Sequence, residues 1–290
     1  MKNKDFKDKK CVITGAASGI GRATAIILGK LGAELFLTDI NEKGLEETVQ
    51  LINKDGGKVN KSEAFDISQY EKVKEFANNI HAEFGAMDIV LNVAGISTWG
   101  EPHELQHEHW AKMINVDLWG VIHGIECFLP EMVRAGKGGH VVNVSSSAGI
   151  VALPWHAAYS AAKFGVVGIS EVMRYDLKEY NIGVTVICPG AVDTPLKHTI
   201  ELIGVDNDDP EVIKLRERFT ERAVTPERVA KLMIKGIKKN KFMVITSFDI
   251  KFLYWCKRNI SPLYRLIVKK VNKIVNDAKK NYETPEKKGY

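Results

Sequence analysis

Between Lys10 and Cys188 the chain alternates short apolar runs with longer stretches of helical spacing, and that alternation narrows the choice of fold more than any other feature. Strands are predicted at Lys10 to Thr14, Glu34 to Thr38, Val59 to Phe65, Met87 to Asn92, His140 to Ser145 and Gly183 to Cys188. Helices are predicted at Gly19 to Leu31, Glu42 to Lys54, about Tyr70 to Phe84, about His107 to Ala135 and Ala157 to Tyr180. Strands bounded by Gly, Asp or Asn and joined by helices need crossover connections, and crossovers make a parallel sheet. Several runs, such as Cys-Val-Ile and Val-Thr-Val-Ile, are apolar on both faces, which suits central strands covered by helices on each side. The expected class is a doubly wound parallel α/β sheet forming one domain over residues 1–248, with a helical extension over 249–290.

The first strand ends in Thr14-Gly15-Ala16-Ala17-Ser18-Gly19-Ile20-Gly21. Gly15 permits a tight turn, Gly19 lets backbone approach a pyrophosphate, and Gly21 lets the next helix pack closely on the sheet. The helix N-terminus then presents free N–H groups and the positive end of its dipole to phosphate. The spacing is G-x-x-x-G-x-G rather than the commoner G-x-G-x-x-G, and its position between first strand and first helix is what gives it weight. Some twenty residues on, the second strand runs into Asp39. A carboxylate there accepts hydrogen bonds from ribose hydroxyls and repels a 2′-phosphate, which favours NAD over NADP. Asp66-Ile67 closes the third strand, where a carboxylate and backbone suit an adenine amino group. Asn92, Ala94 and Gly95 follow the fourth strand, at the sheet edge where such folds bind ligands.

Tyr159 and Lys163 stand four apart in a helical segment, on one face. An ammonium beside a phenol stabilises the phenolate, so such a tyrosine can take a proton from an alcohol or give one to a carbonyl. A serine cluster, Ser145 to Ser147, closes the preceding strand, and a hydroxyl at Ser146 is placed to hold a substrate oxygen. Asn115, in Ile-Asn-Val-Asp, is a polar residue in an apolar helical run.

Taken together these motifs resemble the short-chain dehydrogenase/reductase family over about residues 8 to 246. The resemblance rests on the glycine turn, Asn92-Val93-Ala94-Gly95, Asn115, Val144-Ser145-Ser146, Tyr159-Ser-Ala-Ala-Lys163 and Pro189-Gly190-Ala191-Val192-Asp193-Thr194-Pro195. It implies a Rossmann-like fold, a nicotinamide cofactor and a tetrad of Asn115, Ser146, Tyr159 and Lys163. In that reading Tyr159 is the acid/base. Lys163 binds the nicotinamide ribose and tunes Tyr159, Ser146 holds the substrate oxygen, and Asn115 holds a water. Pro189, Val192 and Thr194, with neighbouring backbone, hold the carboxamide. The resemblance also implies a homodimer or homotetramer through two long helices, and a lid over Leu196 to Arg222. The departure is Val93, where the family often has a second Asn.

The substrate pocket is expected to be walled by Ile96 to Trp99, by Ile150 to His156 with Trp155 as a contact, and by the segment after Pro195. These apolar residues suit a lipophilic alcohol or ketone more than a sugar. His103-Glu104-Leu105-Gln106-His107 matches a zinc-protease pattern, but Pro102 directly before it argues against two histidines on one rigid helix face, and no metal is expected. Four scattered cysteines read as reduced thiols. The segment from Lys251 to Lys280 carries nine basic residues and one acid, leaving −3 for residues 1–250 of a chain whose total is +5. A mildly acidic body argues against a nucleic-acid surface. From Pro262 the apolar residues of the tail fall at helical spacing. Such a basic amphipathic helix suits either an anionic membrane surface or packing on the body or a partner. Residues 281–290 read as frayed. No secretory signal or membrane-spanning run is read in the chain, so a cytoplasmic protein is expected, with the tail able to place it at a membrane surface.

Overall fold

The computed structural model describes residues 5–198, 200–205, 213 and 223–280, with the side chains of 197, 198 and 277–280 left aside. Most of the expected lid and all of residues 281–290 lie outside the described residues.

Seven parallel strands make the central sheet: β1 (Lys10–Thr14), β2 (Glu34–Asp39), β3 (Lys58–Ala64), β4 (Ile89–Asn92), β6 (Gly139–Val144), β7 (Ile182–Cys188) and β9 (Met243–Ile245). Their order across the sheet is β3-β2-β1-β4-β6-β7-β9. The order reverses between β1 and β4, so the strand ends there open into a crevice. Alternation along each strand divides the core. Cys11, Ile13, Leu35, Leu37, Ile89, Leu91, Val142 and Val144 face one helical layer, while Val12, Phe36, Val90 and Val141 face the other. Every strand in these pairs is buried on both sides, which is why its sequence reads as a continuous apolar run.

The helices are α1 (Gly19–Lys30), α2 (Glu42–Lys54), α3 (Tyr70–Phe84), α4 (His107–Ile114), α5 (Gly120–Ala135), α6 (Ala157–Asp176), α7 (Pro226–Lys238), α8 (Phe248–Asn259) and α9 (Ser261–Lys280). The helix predicted to run unbroken from His107 to Ala135 is instead interrupted by a π turn over Asn115–Trp119, in which the Gly120 N–H reaches the Asn115 carbonyl. The extra residue rotates the chain by about 100° relative to an unbroken α-helix. It therefore changes which side chains face inward.

Beyond Cys188 the sequence pattern predicts no further strand, yet the sheet continues. Helix α7 and strand β9 complete it, with Val186, Ile187 and Cys188 opposite Met243, Val244 and Ile245. A second, two-stranded sheet joins β5 (Thr98–Trp99) to β8 (Glu201–Leu202). The tail is two helices, and they pack on the body. Cys256 and Val275 are buried, Lys257 Nζ donates to the Ile150 carbonyl at 2.7 Å, and the Tyr264 hydroxyl accepts from Ala152 N at 2.8 Å. Among the described residues no helix is long and apolar enough to cross a membrane.

Candidate active site

The glycine turn is built for close approach. Gly15 and Gly19 have φ of +72° and +51°, conformations that side chains rarely adopt. A Cβ at Gly21 would lie 1.9 Å from the Gly15 carbonyl oxygen, and one at Gly19 would lie 2.9 Å from Thr194 Cγ2. Thr194 thus sits against the turn. Ser18 caps α1 without a side-chain hydrogen bond, and the first turn carries no acid. The helix end therefore keeps N–H groups free for an anion. Asp39 Oδ2 accepts from Ala17 N at 2.9 Å and Oδ1 from Asn41 N at 2.9 Å. The carboxylate is fixed beside the turn and partly exposed, with lone pairs left over. Arg22 is engaged elsewhere, on Thr48, Gly44 and Glu47. This cradle, with an orienting acid at its rim, fits a dinucleotide.

The remaining expected cofactor residues divide into those that edge the crevice and those that serve the core. Val93 N and Ala94 N both donate to Thr14 Oγ1, at 3.0 and 3.2 Å, which ties the end of β4 to the end of β1. Asp66 Oδ1 accepts from Ser68 N at 2.8 Å, closing a turn. Ile67 is buried and fills the space opposite Gly120. The Asn92 side chain turns inward: it donates to Asn143 Oδ1 at 2.8 Å, and Asn143 in turn donates to Ser170 Oγ. This buried amide ladder joins β4, β6 and α6, so only the backbone of Asn92 edges the crevice.

At the C-terminal ends of β6 and β7, Ser146, Tyr159 and Lys163 come together. Ser146 Oγ accepts from Ala148 N at 3.1 Å and stands near enough to Tyr159 to pull its hydroxyl down. Lys163 Nζ lies 5.6 Å from the Tyr159 ring centroid. Burial pushes the Tyr159 hydroxyl above the ordinary tyrosine range; Lys163 pulls it down, Asp117 pushes it up, and Ser146 pulls it down. Burial opposes the charge on Lys163, but Asp117 and Tyr159 together hold it above the usual lysine value.

Asn115 stands at the first position of the π turn. Its side chain is exposed, and the structure does not bring it to the cluster. Asp117 stands there instead, fully buried, with Oδ1 3.0 Å from Lys163 Nζ. Helical spacing accounts for this: Asp117 follows the buried Met113 by four residues and shares its inward face, while Asn115 does not. The available signal was a second polar residue, Asp117, in the same apolar run. His156, at the end of the expected pocket wall, stands beside the cluster. Its ring centroid lies 6.1 Å from that of Tyr159 and 4.4 Å from that of Trp99, and burial holds it neutral, pulled down to about 4.

Beside this cluster Ile96 and Ile203 pack near Tyr159, and Trp155 and Val275 are buried together with Trp99 and Val205 against them. Trp155 adopts a φ of +62°, a strained conformation for a bulky residue, while its carbonyl accepts from Gly100 N at 2.7 Å. Ile150 and Val151, expected as pocket walls, instead join a core cluster with Leu253, Tyr254 and Tyr264 of the tail. His103 lies ahead of α4, where it pairs with Glu104, and His107 opens that helix, so the two do not share a helix face. His109 Nδ1 accepts from Gln106 N.

A sheet-edge crevice with a glycine cradle, an acid at its rim and a Ser–Tyr–Lys cluster defines a nicotinamide-dependent oxidoreductase site. Residues 9–202 match the family described as short chain dehydrogenase, and the chain belongs to it. It is 35% identical over 267 residues to SadH of Mycobacterium tuberculosis, named as an oxidoreductase, covering 91% of this chain and 95% of that one. A short-chain dehydrogenase/reductase from Burkholderia phymatum, solved in complex with NAD, superposes with a TM-score of 0.82 at 27% identity, over 90% of this chain and 96% of that one. An alcohol dehydrogenase from Thermococcus sibiricus, complexed with 5-hydroxy-NADP, superposes at 0.69 with 25% identity, over 82% of this chain and 96% of that one. Family membership alone therefore leaves the choice between the two dinucleotides to the residues around Asp39.

Proposed function

We propose that the protein interconverts a secondary alcohol and a ketone on a lipophilic substrate, with NAD(H) as cofactor. The observation that carries this is the Ser146–Tyr159–Lys163 cluster at the open end of the sheet, beside the glycine turn. When bound, the dinucleotide donates or accepts hydride at its nicotinamide ring. Gly15, Ser18, Gly19, Ile20 and Gly21 cradle its phosphates, and Asp39 takes the ribose hydroxyls. Asp66 and Ile67 border the adenine, while Ala94, Gly95, Pro189, Val192 and Thr194 border the nicotinamide. Ser146 orients the substrate oxygen, and Tyr159 exchanges a proton with it. The apolar surface of Ile96, Trp99, Trp155, Ile203 and Val275 favours a substrate with a hydrocarbon body. Fluorescence titration with NADH and NADPH, followed by turnover of a panel of lipophilic secondary alcohols and ketones, tests the reading. Tighter NADH binding with turnover supports it, and NADPH preference would remove the role given to Asp39.

A membrane-surface role for the tail is favoured by one observation. Phe248, Phe252 and Trp255 lie along one exposed stripe of α8, at 83%, 45% and 50% exposure, among Lys251, Lys257 and Arg258. Co-sedimentation with phosphatidylglycerol vesicles, but not phosphatidylcholine vesicles, is expected, and its loss in the Trp255→Ser/Phe248→Ser double variant. Pairing of two copies through the π turn and α6 is supported by the exposure of Trp119, Val172 and Tyr175, and light scattering checks it.

A further inference from the structure

The buried carboxylate of Asp117 is not accounted for by the fold. Its Oδ1 faces Lys163 Nζ at 3.0 Å and accepts from Ile96 N at 3.1 Å, while Oδ2 has no hydrogen-bond partner among the described residues. Burying a half-satisfied carboxylate costs stability, so an apolar residue would serve packing better. The neighbourhood is also cleared for it. A Cβ at Gly95 would lie 2.5 Å from Asp117 Oδ1 and 3.1 Å from Lys163 Nζ. Asp117 follows the buried Met113 by four residues, so the helix carries it inward while Asn115 stays exposed. Three separate features thus converge on one ion pair.

We propose that Asp117 is a positioning residue for the reaction: it clamps the Lys163 ammonium and offsets its charge at Tyr159, so that Tyr159 works as a proton donor to a carbonyl at neutral pH. The inference rests on the oxidoreductase reading and adds a direction to it. A lone ammonium beside a phenol favours the phenolate, the form that takes a proton from an alcohol. An ammonium paired with a carboxylate is close to neutral overall and favours it far less. The balance at Tyr159 agrees, since burial and Asp117 raise it and Lys163 and Ser146 lower it; burial raises Asp117 itself, and Lys163 and the Ile96 N–H oppose that rise and favour its charged form. The other groups around the pair do not substitute for Asp117. His156 is held neutral. The β1, β4 and β6 ends bring the Thr14 hydroxyl, backbone groups and the Val144 carbonyl, which accepts from Lys163 at 3.4 Å. On α4, Lys112 pairs with Glu201 at the surface and His109 caps its own helix. On α5, His123 bonds the Ile67 carbonyl.

The test is Asp117→Asn, which keeps the shape and removes the charge. Two readouts are taken between pH 6 and pH 11. One is the tyrosinate absorbance change assigned to Tyr159 by its loss in Tyr159→Phe. The other is the pH dependence of kcat/KM for oxidation and for reduction. The titration midpoint of Tyr159 is expected to fall by about one pH unit or more, equivalent to a tenfold change in its proton equilibrium. The acid limb of the oxidation profile should move with it, and the ratio of oxidation to reduction at pH 7 should rise about tenfold. Gly95→Ala, which crowds the carboxylate off Lys163, should shift the midpoint the same way and serves if Asp117→Asn fails to fold. A midpoint that stays put or rises overturns the proposal, as does an equal loss of both directions with unchanged profiles. Absence of turnover in the wild type would instead fail the oxidoreductase reading. The absorbance titration would still decide the role of Asp117.

Discussion

Replacing Gly21 with alanine tests the phosphate turn at its tightest point. The new Cβ would meet the Gly15 carbonyl oxygen at 1.9 Å and the Gly15 carbonyl carbon at 2.6 Å. Restoring even a tight 3.0 Å contact requires a movement of about 1.1 Å. Both sides of the clash are backbone. Gly15 is itself pressed on Ala94, whose Cα would lie 2.7 Å from a Cβ there, so the displacement must come from the N-terminus of α1. Overpacking of this kind costs about 1–3 kcal/mol, and in a domain of this size each kcal/mol lowers Tm by about 2–4 °C. A shift of roughly 1 Å in a positioning element can cost on the order of 100-fold. Thermal unfolding and NADH fluorescence titration of Gly21→Ala should therefore show a Tm lower by about 2–12 °C and NADH affinity weaker by at least tenfold. An alanine variant that binds NADH within twofold of wild type at an unchanged Tm would refute the reasoning.

The contrasting glycine is Gly168, exposed in α6, where an added methyl would have no atom within 4 Å. Gly168→Ala should stabilise the single chain by about 0.5–1 kcal/mol through helix propensity, read as a small rise in Tm at a concentration below that at which copies pair. Asp39→Ser removes the charge beside the turn. A unit charge at about 5 Å is worth roughly 1–3 kcal/mol at the dielectric of a protein surface, so the NADPH-to-NADH affinity ratio should rise at least tenfold. His156 is buried neutral and pulled down to about 4 from an ordinary value of 6.5. The unfolded chain therefore takes up this proton first. The stability it contributes is complete above pH 6.5 and is lost as pH falls towards 4. Urea midpoints at pH 7 and pH 4.5 should differ less in His156→Gln than in wild type.

The strands and crossover helices up to Cys188 were legible because strands buried on both faces leave unbroken apolar runs, while Gly15, Asp39 and Gly95 stand where those runs end. The last part of the sheet was not. Strand β9 has three residues, Met243 to Ile245, too few for a period to register, and the amphipathic α7 before it sits between charged stretches. At the site, Tyr159 and Lys163 were readable because four residues on an α-helix always share a face. Asp117 was readable on the same rule, standing four residues after the apolar Met113, and went unread. The π turn was not readable, since nothing in the local periodicity of Ile114 to Trp119 announces the extra residue. The tail's contact with Trp155 through Val275 was also out of reach, since no spacing rule links residues this far apart in sequence.

The central claim is that Tyr159 transfers the substrate proton in a site that binds its dinucleotide independently of that hydroxyl. Tyr159→Phe removes one oxygen from a ring whose packing stays in place. With NADH affinity measured by fluorescence and turnover measured on the best substrate of the panel, affinity should stay within about threefold while kcat/KM falls by roughly 100-fold to 10,000-fold. A phenylalanine variant that binds NADH and still turns over at near the wild-type rate would contradict the account.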